Sequence, residues 1–256
     1  MSMVYFIGAG PGDPELLTIK GRKFLDKAEV VIYAGSLVHP KLIEGLRAEI
    51  FDSAKMTLEE IIDIIKTSIS HGKTVVRLHS GDTSFYSAIT EQIERLRELN
   101  IAYEVIPGVS SAMAGAAILG QELTIPQISQ TVIFTRIEGK TPVPEKERLA
   151  ELGRHKATMV IFLSCGMIER VREELLQGYP CDTPVVIIEK VSWPEQKVVR
   201  GRLKDIVELV KNADIKKTAL IYVGQALAAS EGSLGKESRL YHKEFTHGYR
   251  NILHNE

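Results

Sequence analysis

Five short runs rich in Val, Ile, Tyr and Phe, at residues 4–7, 30–33, 49–51, 74–78 and 103–106, alternate with segments of helical periodicity through the first half of the chain. This alternation constrains the fold more than any other feature, because strands separated by amphipathic helices form a mostly parallel sheet with helices packed on it. One helix marks its own start. Leu58, Ile61, Ile62, Ile65 and Ile69 recur at helical spacing behind Thr57, and Glu60 stands where a capping box places its acid. That apolar stripe reads as core packing.

Between Gly120 and Ser129 the pattern breaks at Gln121-Glu122-Leu123-Thr124-Ile125-Pro126-Gln127-Ile128, which reads as a linker with some extended structure. The sequence thus divides into domains 1–120 and 121–256. The second is expected to hold strands near 131–135, 159–163, 185–189, 198–201 and 219–223, and helices near 146–152, 168–176 and 203–211. Residues 139–144, Gly-Lys-Thr-Pro-Val-Pro, read as a constrained loop. A chain of 256 residues is long enough for each domain to bury its own core. The expected class is α/β, two α/β domains with mostly parallel or mixed sheets.

Several functions are disfavoured. With 32 Lys+Arg against 33 Asp+Glu, a net charge of −1 gives no global drive towards nucleic acid or an anionic membrane. No apolar run reaches the length of a membrane span, and the first residues lack the basic start of a signal peptide, so a cytoplasmic protein with neither nucleic-acid nor membrane partner is expected. Cys165 and Cys181 are too few for a disulfide framework, and the seven histidines show no tight ligand spacing, so no protein-bound metal is expected. Ser36, Ser110 and Ser164 sit in no nucleophile elbow, which leaves hydrolase chemistry unsupported.

The segment Gly8-Ala9-Gly10-Pro11-Gly12-Asp13-Pro14 follows the first strand and precedes a helix expected to begin near Glu15. A dinucleotide fingerprint fails, since Asp13 occupies the third glycine position and no acidic residue ends the second strand. A Walker loop fails too, because Thr67 stands where Gly72-Lys73-Thr74 would need its first glycine. What remains is either close backbone approach to a large flat ligand or a tight strand–helix connection. A second loop, Ser80-Gly81-Asp82-Thr83-Ser84-Phe85-Tyr86, follows the fourth strand, where open α/β sheets place ligands. Asp82 would accept hydrogen bonds from a ligand or cap the following helix. A third, Pro107-Gly108-Val109-Ser110-Ser111, follows the fifth strand, and three such loops together argue for a site.

In this order the three loops resemble the tetrapyrrole methylases, and the resemblance runs from the first strand to Lys217-Thr218-Ala219-Leu220-Ile221-Tyr222-Val223-Gly224. Within that family the segments 33–38, 129–136, 138–144 and the tail 238–250 look like the branch that methylates C-11 of precorrin-4. They look unlike the uroporphyrinogen-III methyltransferases and the diphthine synthases. The resemblance implies two α/β domains enclosing S-adenosylmethionine in a cleft, without the Rossmann fold, usually as a homodimer, with S-adenosylhomocysteine as product. Carried over by motif, the cofactor would meet Pro11, Gly81, Asp82, Phe85, Ser110 and Ser111, with Leu163 and Ala219 from the second domain. Gly8, Gly10, Gly12, Tyr33 and Ser36 would line the tetrapyrrole trough. Thr83 departs from the proline that many members carry, which bears on the rigidity of that turn.

The resembled reaction needs positioning more than a base or a metal, so no catalytic acid or base is named. Arg77, Arg136, Lys156, Lys190, Arg200 and Arg202 are candidates to orient substrate carboxylates, or are solvated surface. Some segments look closer to cobalt-precorrin enzymes, any cobalt entering chelated in the substrate. A sister enzyme methylating another carbon, and a non-catalytic ligand-binding protein on the same fold, are the competing readings.

Overall fold

A computed structural model of the protein describes residues 2–232 and 245–246. The tail segment 238–250, apart from Phe245 and Thr246, lies outside the described residues. The chain divides into two compact units, Met1–Gly115 with Lys190–Gln196, and Ala116–Glu189 with Lys197–Glu256.

In the first unit β1 (Val4–Gly8), β2 (Val30–Tyr33), β3 (Glu49–Asp52), β4 (Val75–His79) and β5 (Tyr103–Ile106) form a sheet in the order β3-β2-β4-β1-β5. Every pairing in it is parallel. This is not the dinucleotide-binding order, which runs 3-2-1-4-5-6. Alternate residues feed opposite faces, as the two-residue period of a strand requires. Ile7, Val31, Val76 and Leu78 pack with Leu17 and with Leu25 of α1 (Ile19–Leu25). Val4, Phe6, Val30, Ile32 and Val75 pack with Ile61, Ile62 and Ile65 of α2 (Leu58–Ser70), and with Leu96 of α3 (Ile89–Glu98).

The capping box on α2 is complete: Glu60 N–H donates to Thr57 Oγ1 at 3.3 Å, and Thr57 N–H to Glu60 Oε2 at 2.7 Å. The first helix starts later than its sequence suggests. Asp13 caps only a 3₁₀ turn, Pro14–Leu16; Leu17 is extended, and Thr18 then caps α1, which begins at Ile19 rather than near Glu15.

The second unit holds β6 (Val132–Arg136), β7 (Thr158–Phe162), β8 (Pro184–Glu189), β9 (Lys197–Arg202) and β10 (Ala219–Val223) in the order β6-β7-β10-β8-β9. Only β6 and β7 run parallel, so this sheet is mixed. One face carries α5 (Leu149–Gly153), α6 (Ile168–Leu175) and α7 (Ile206–Asn212) over Met159, Ile161, Val185, Ile187 and Ile221. The helix expected over 146–152 is interrupted: a 3₁₀ turn at Glu145–Glu147 gives way at the extended Arg148 before α5 begins. α4 (Ser111–Ile118) spans the boundary between the units in sequence.

Candidate active site

β4, β1 and β5 are neighbours in the sheet, so the three glycine-containing loops leave the same carboxyl edge side by side. Their backbones interlock. Gly10 N–H donates to Gly81 O at 3.1 Å and Gly81 N–H returns a bond to Gly10 O at 2.7 Å, both residues having positive φ. A Cβ on Gly8 would lie 2.6 Å from Gly108 Cα and from Gly81 O, and one on Gly108 would lie 2.2 Å from Gly81 O. Side chains at positions 8 and 108 would force the loops apart, and that requirement accounts for these two glycines.

Asp82 is the polar tie. Its Oδ2 accepts from Gly108 N–H at 2.8 Å and its Oδ1 from Ser84 N–H at 2.8 Å. The carboxylate thus joins the second loop to the third and caps the turn at residues 82–85, not the helix that follows; α3 begins at Ile89 behind Ala88, which makes no side-chain cap. Ser87 Oγ donates to Asp82 O and Phe85 O, closing the loop on itself. Tyr86 and Ala88 have φ of 54° and 48°, left-handed backbone that non-glycine residues adopt at a cost of about 1–2 kcal/mol. In the third loop the buried Ser110 accepts through Oγ from Ala112 N–H at 3.3 Å, and through its carbonyl from Met113 and Ala114, so it organises the start of α4. Phe85, Tyr86 and Met113 keep large apolar surfaces exposed beside these turns.

Arg77 and His79, behind the second loop, lie within the core. Arg77 is 5% exposed on β4, where its Nε donates to Gln92 Oε1 at 3.0 Å and its Nη1 to Ile32 O at 3.2 Å. Gln92 Nε2 continues to Ala88 O at 3.1 Å, so this chain of bonds reaches the strained end of the loop. Burial lowers the Arg77 pKa to about 10, which leaves it charged at neutral pH. Burial, and then the charge of Arg77, hold His79 down at about 3, so its imidazole is neutral. His79 Nε2 and Thr83 Oγ1 are buried without a hydrogen-bond partner. Arg77 is therefore not available to a substrate carboxylate. Nor is Arg136 free for that use, since its guanidinium donates to the carbonyls of Ile137, Thr141 and Pro142 and closes the proline-containing loop.

The first loop has a partner that sequence reasoning missed. Trp193, in the Lys190–Gln196 segment, donates from its indole to Pro11 O at 2.9 Å, and Ser192 Oγ accepts from Asp13 N–H at 2.9 Å. Tyr33, at the end of β2, has its carbonyl held by Ser53 Oγ at 2.8 Å. Ser36 lies in the 3₁₀ turn Gly35–Leu37. The next turn begins at His39, whose ring stands 5.0 Å from Trp193. The available signal was composition: Trp193 is the single tryptophan, set before a proline between two strands.

In the second unit Leu163 follows β7 with φ 54° and is 69% exposed. Ser164 fixes it there, donating from Oγ to Phe162 O at 2.6 Å and accepting from Ile137 N–H at 2.9 Å. β10 runs antiparallel to β7 with Ile221 opposite Ile161, and Ala219, at the start of β10, is buried in the core of this unit. A surface concavity lined by Glu49, Phe51, Ile64, Thr67 and His71 sits at the β3–α2 edge, and none of the expected site residues lines it.

The donor set suits a cationic nucleoside ligand. Residues 8–13, 80–88 and 107–111 carry Asp13 and Asp82 and no Lys, Arg or His, together with serine hydroxyls and exposed aromatic surface. Such an environment tolerates a sulfonium and offers acceptors to an amine or a ribose. Among the described residues no cluster of three His, Cys, Asp or Glu side chains could hold a metal ion.

Known proteins share this architecture. A cobalt-precorrin-4 C(11)-methyltransferase of Methanocaldococcus jannaschii is 54% identical over 250 residues, covering 96% of this chain and 95% of its own. A precorrin-4 C(11)-methyltransferase of Pseudomonas aeruginosa is 48% identical over 96% of this chain and 98% of its own. Among solved structures, the cobalt precorrin-4 methyltransferase CbiF superposes with a TM-score of 0.86 at 46% identity, covering 88% of this chain and 95% of that one. A uroporphyrin-III C-methyltransferase of Thermus thermophilus, solved with S-adenosylhomocysteine, gives a TM-score of 0.76 at 28% identity over 89% of this chain and 100% of that one. The family pattern of the tetrapyrrole (corrin/porphyrin) methylases matches residues 3–207, and the chain belongs to that family.

Proposed function

We propose that this protein transfers the methyl group of S-adenosylmethionine to C-11 of cobalt-precorrin-4 in cobalamin biosynthesis, releasing S-adenosylhomocysteine. The observation that carries the reading is full-length similarity, 54% over 96% of the chain, to a relative named for that activity. The interlocked loops at the carboxyl edge of the parallel sheet are where such a fold binds its ligands. The same family reading makes the protein a cytoplasmic homodimer, whose mass sedimentation would measure.

The cofactor, when bound, supplies a methyl already activated by a sulfonium, so what the chain must provide is alignment. Asp82 locks the second loop to the third, and each of its oxygens has a further lone pair for a cofactor donor. Phe85 offers an apolar face, and Ser110, Ser111 and the Pro11 ring border the same edge. Leu163 and Ala219 are carried as cofactor contacts of the second unit. The first loop, shaped by the backbone packing of Gly8, Gly10 and Gly12, and the Tyr33–Ser36 segment are assigned to the tetrapyrrole. No side chain is assigned as a base, because an electron-rich macrocycle supplies the nucleophilic carbon itself.

Calorimetric titration with S-adenosylmethionine tests the cofactor assignment: Asp82→Ala should weaken binding about tenfold or more, the loss of one to two charge-assisted hydrogen bonds. Unchanged affinity would remove the second loop from the site. Anaerobic competition between cobalt-charged and metal-free precorrin-4 should favour the cobalt form; a preference for the metal-free form would contradict the choice of substrate.

A further inference from the structure

Residues 190–196 join two adjacent antiparallel strands, β8 and β9, yet they do not make a short hairpin. The segment holds itself in costly backbone, with φ of 49° at Lys190 and 63° at Ser192. It is braced internally by Ser192 N–H to Gln196 Oε1 at 2.7 Å, by Trp193 N–H to Lys190 O at 3.0 Å, and by Gln196 N–H to Trp193 O at 3.1 Å. Strain retained with this much bracing points to a use for the shape.

The shape presents Ser192 and Trp193 to three successive residues of the first glycine loop. The indole N–H takes the Pro11 carbonyl, the Ser192 hydroxyl takes the Asp13 N–H, and the indole edge lies against Gly12. The contact at Gly12 is so close that a Cβ there would sit 2.2 Å from Trp193 Cδ1, which explains that glycine without a ligand. The indole also meets His39, directly after the 33–38 segment, with ring centroids 5.0 Å apart. Trp193 therefore ties the first loop, which carries the trough glycines and the cofactor contact Pro11, to the residue that follows the 33–38 segment, and its side-chain hydrogen bond and ring contact go to these rather than to the second or third loop.

We propose that Trp193 is a positioning residue for methyl transfer, holding residues 11–13 and 39 in the arrangement that seats the tetrapyrrole. The inference rests on the reading that the first loop lines the substrate trough. Trp193→Ala should raise the tetrapyrrole KM about tenfold or more, with a smaller rise, about threefold, in the S-adenosylmethionine Kd through the cofactor contact Pro11. Trp193→Phe, which keeps a ring but loses the N–H, should raise that KM about threefold. Gly12→Ala leaves the tryptophan in place but drives a methyl against it, and should reproduce the Trp193→Ala signature. His39→Ala, a milder change, serves if Trp193→Ala does not fold, with thermal melting reporting folding throughout.

An unchanged tetrapyrrole KM in folded Trp193→Ala and Gly12→Ala proteins would overturn the role of Trp193. A change confined to the cofactor Kd would instead overturn the assignment of the first loop to the tetrapyrrole, and the proposal with it. The two failures are thus distinct.

Discussion

At the scale of single residues, the site edge is made of groups whose first task is to hold one another. Asp82 binds Gly108 N–H and Ser84 N–H through separate oxygens, so Asp82→Asn should keep one acceptor and lose the other, whereas Asp82→Ala loses both. Bonds to a charged group contribute about 1.5–3 kcal/mol each, and denaturant unfolding should rank wild type above Asn above Ala. Equal stability of all three would mean that the tie is not used. Leu163 shows the converse. Its exposed side chain sits on left-handed backbone, so Leu163→Gly should raise stability by up to about 1 kcal/mol. If Leu163 touches the cofactor, the same variant should bind S-adenosylmethionine more weakly; a gain in stability with unaltered affinity would remove it from the site.

His79 makes a pH prediction. Its folded-state pKa, near 3, lies below the ordinary 6.5 because of burial and the charge of Arg77. Between those values the unfolded chain binds a proton that the folded protein refuses, so stability is complete above pH 6.5 and falls as pH falls below it. The slope approaches about 1.4 kcal/mol per pH unit. Unfolding free energies measured from pH 8 to pH 5 should decline for wild type and decline less for His79→Leu; parallel curves would contradict a buried neutral histidine.

At the scale of elements, the parallel strands of the first unit were legible because each is a β-branched run stopped by a turn. The capping box of α2 was legible because both its residues lie within four positions of each other. Thr57→Ala should cost about 1 kcal/mol in unfolding experiments. The start of α1 was misplaced because Pro14 and Glu15 suit the first turn of any helix, and here that turn is a separate 3₁₀ piece. Arg77 read as a candidate for a substrate carboxylate or for solvated surface, but β4 is central and covered on both faces, so its arginine and histidine are buried with the valines. Neither Trp193 nor Ser192 was legible at all: their respective partners Pro11 and Asp13 lie 182 and 179 residues away, separations over which local pattern carries no information.

At the scale of the whole molecule, a five-stranded parallel sheet and a five-stranded mixed sheet serve different purposes. Parallel strands align their carboxyl ends, and that edge is where β1, β4 and β5 deliver three loops to one place. The glycines at positions 8, 10, 81 and 108 are explained by loop-to-loop packing, so the failure of the dinucleotide fingerprint at Asp13 is compatible with a ligand edge. Chemistry that relies on an activated methyl and a reactive macrocycle leaves little for acid or base residues to do, and the arrangement of polar groups as loop ties agrees with that division.

The central claim, methyl transfer to one carbon of one macrocycle, is tested most directly by an anaerobic reaction of the protein with carbon-labelled S-adenosylmethionine and cobalt-precorrin-4, followed by carbon NMR of the product. The account predicts a single labelled methyl at C-11. A methyl at another carbon, or tight binding of both ligands with no transfer, would contradict it.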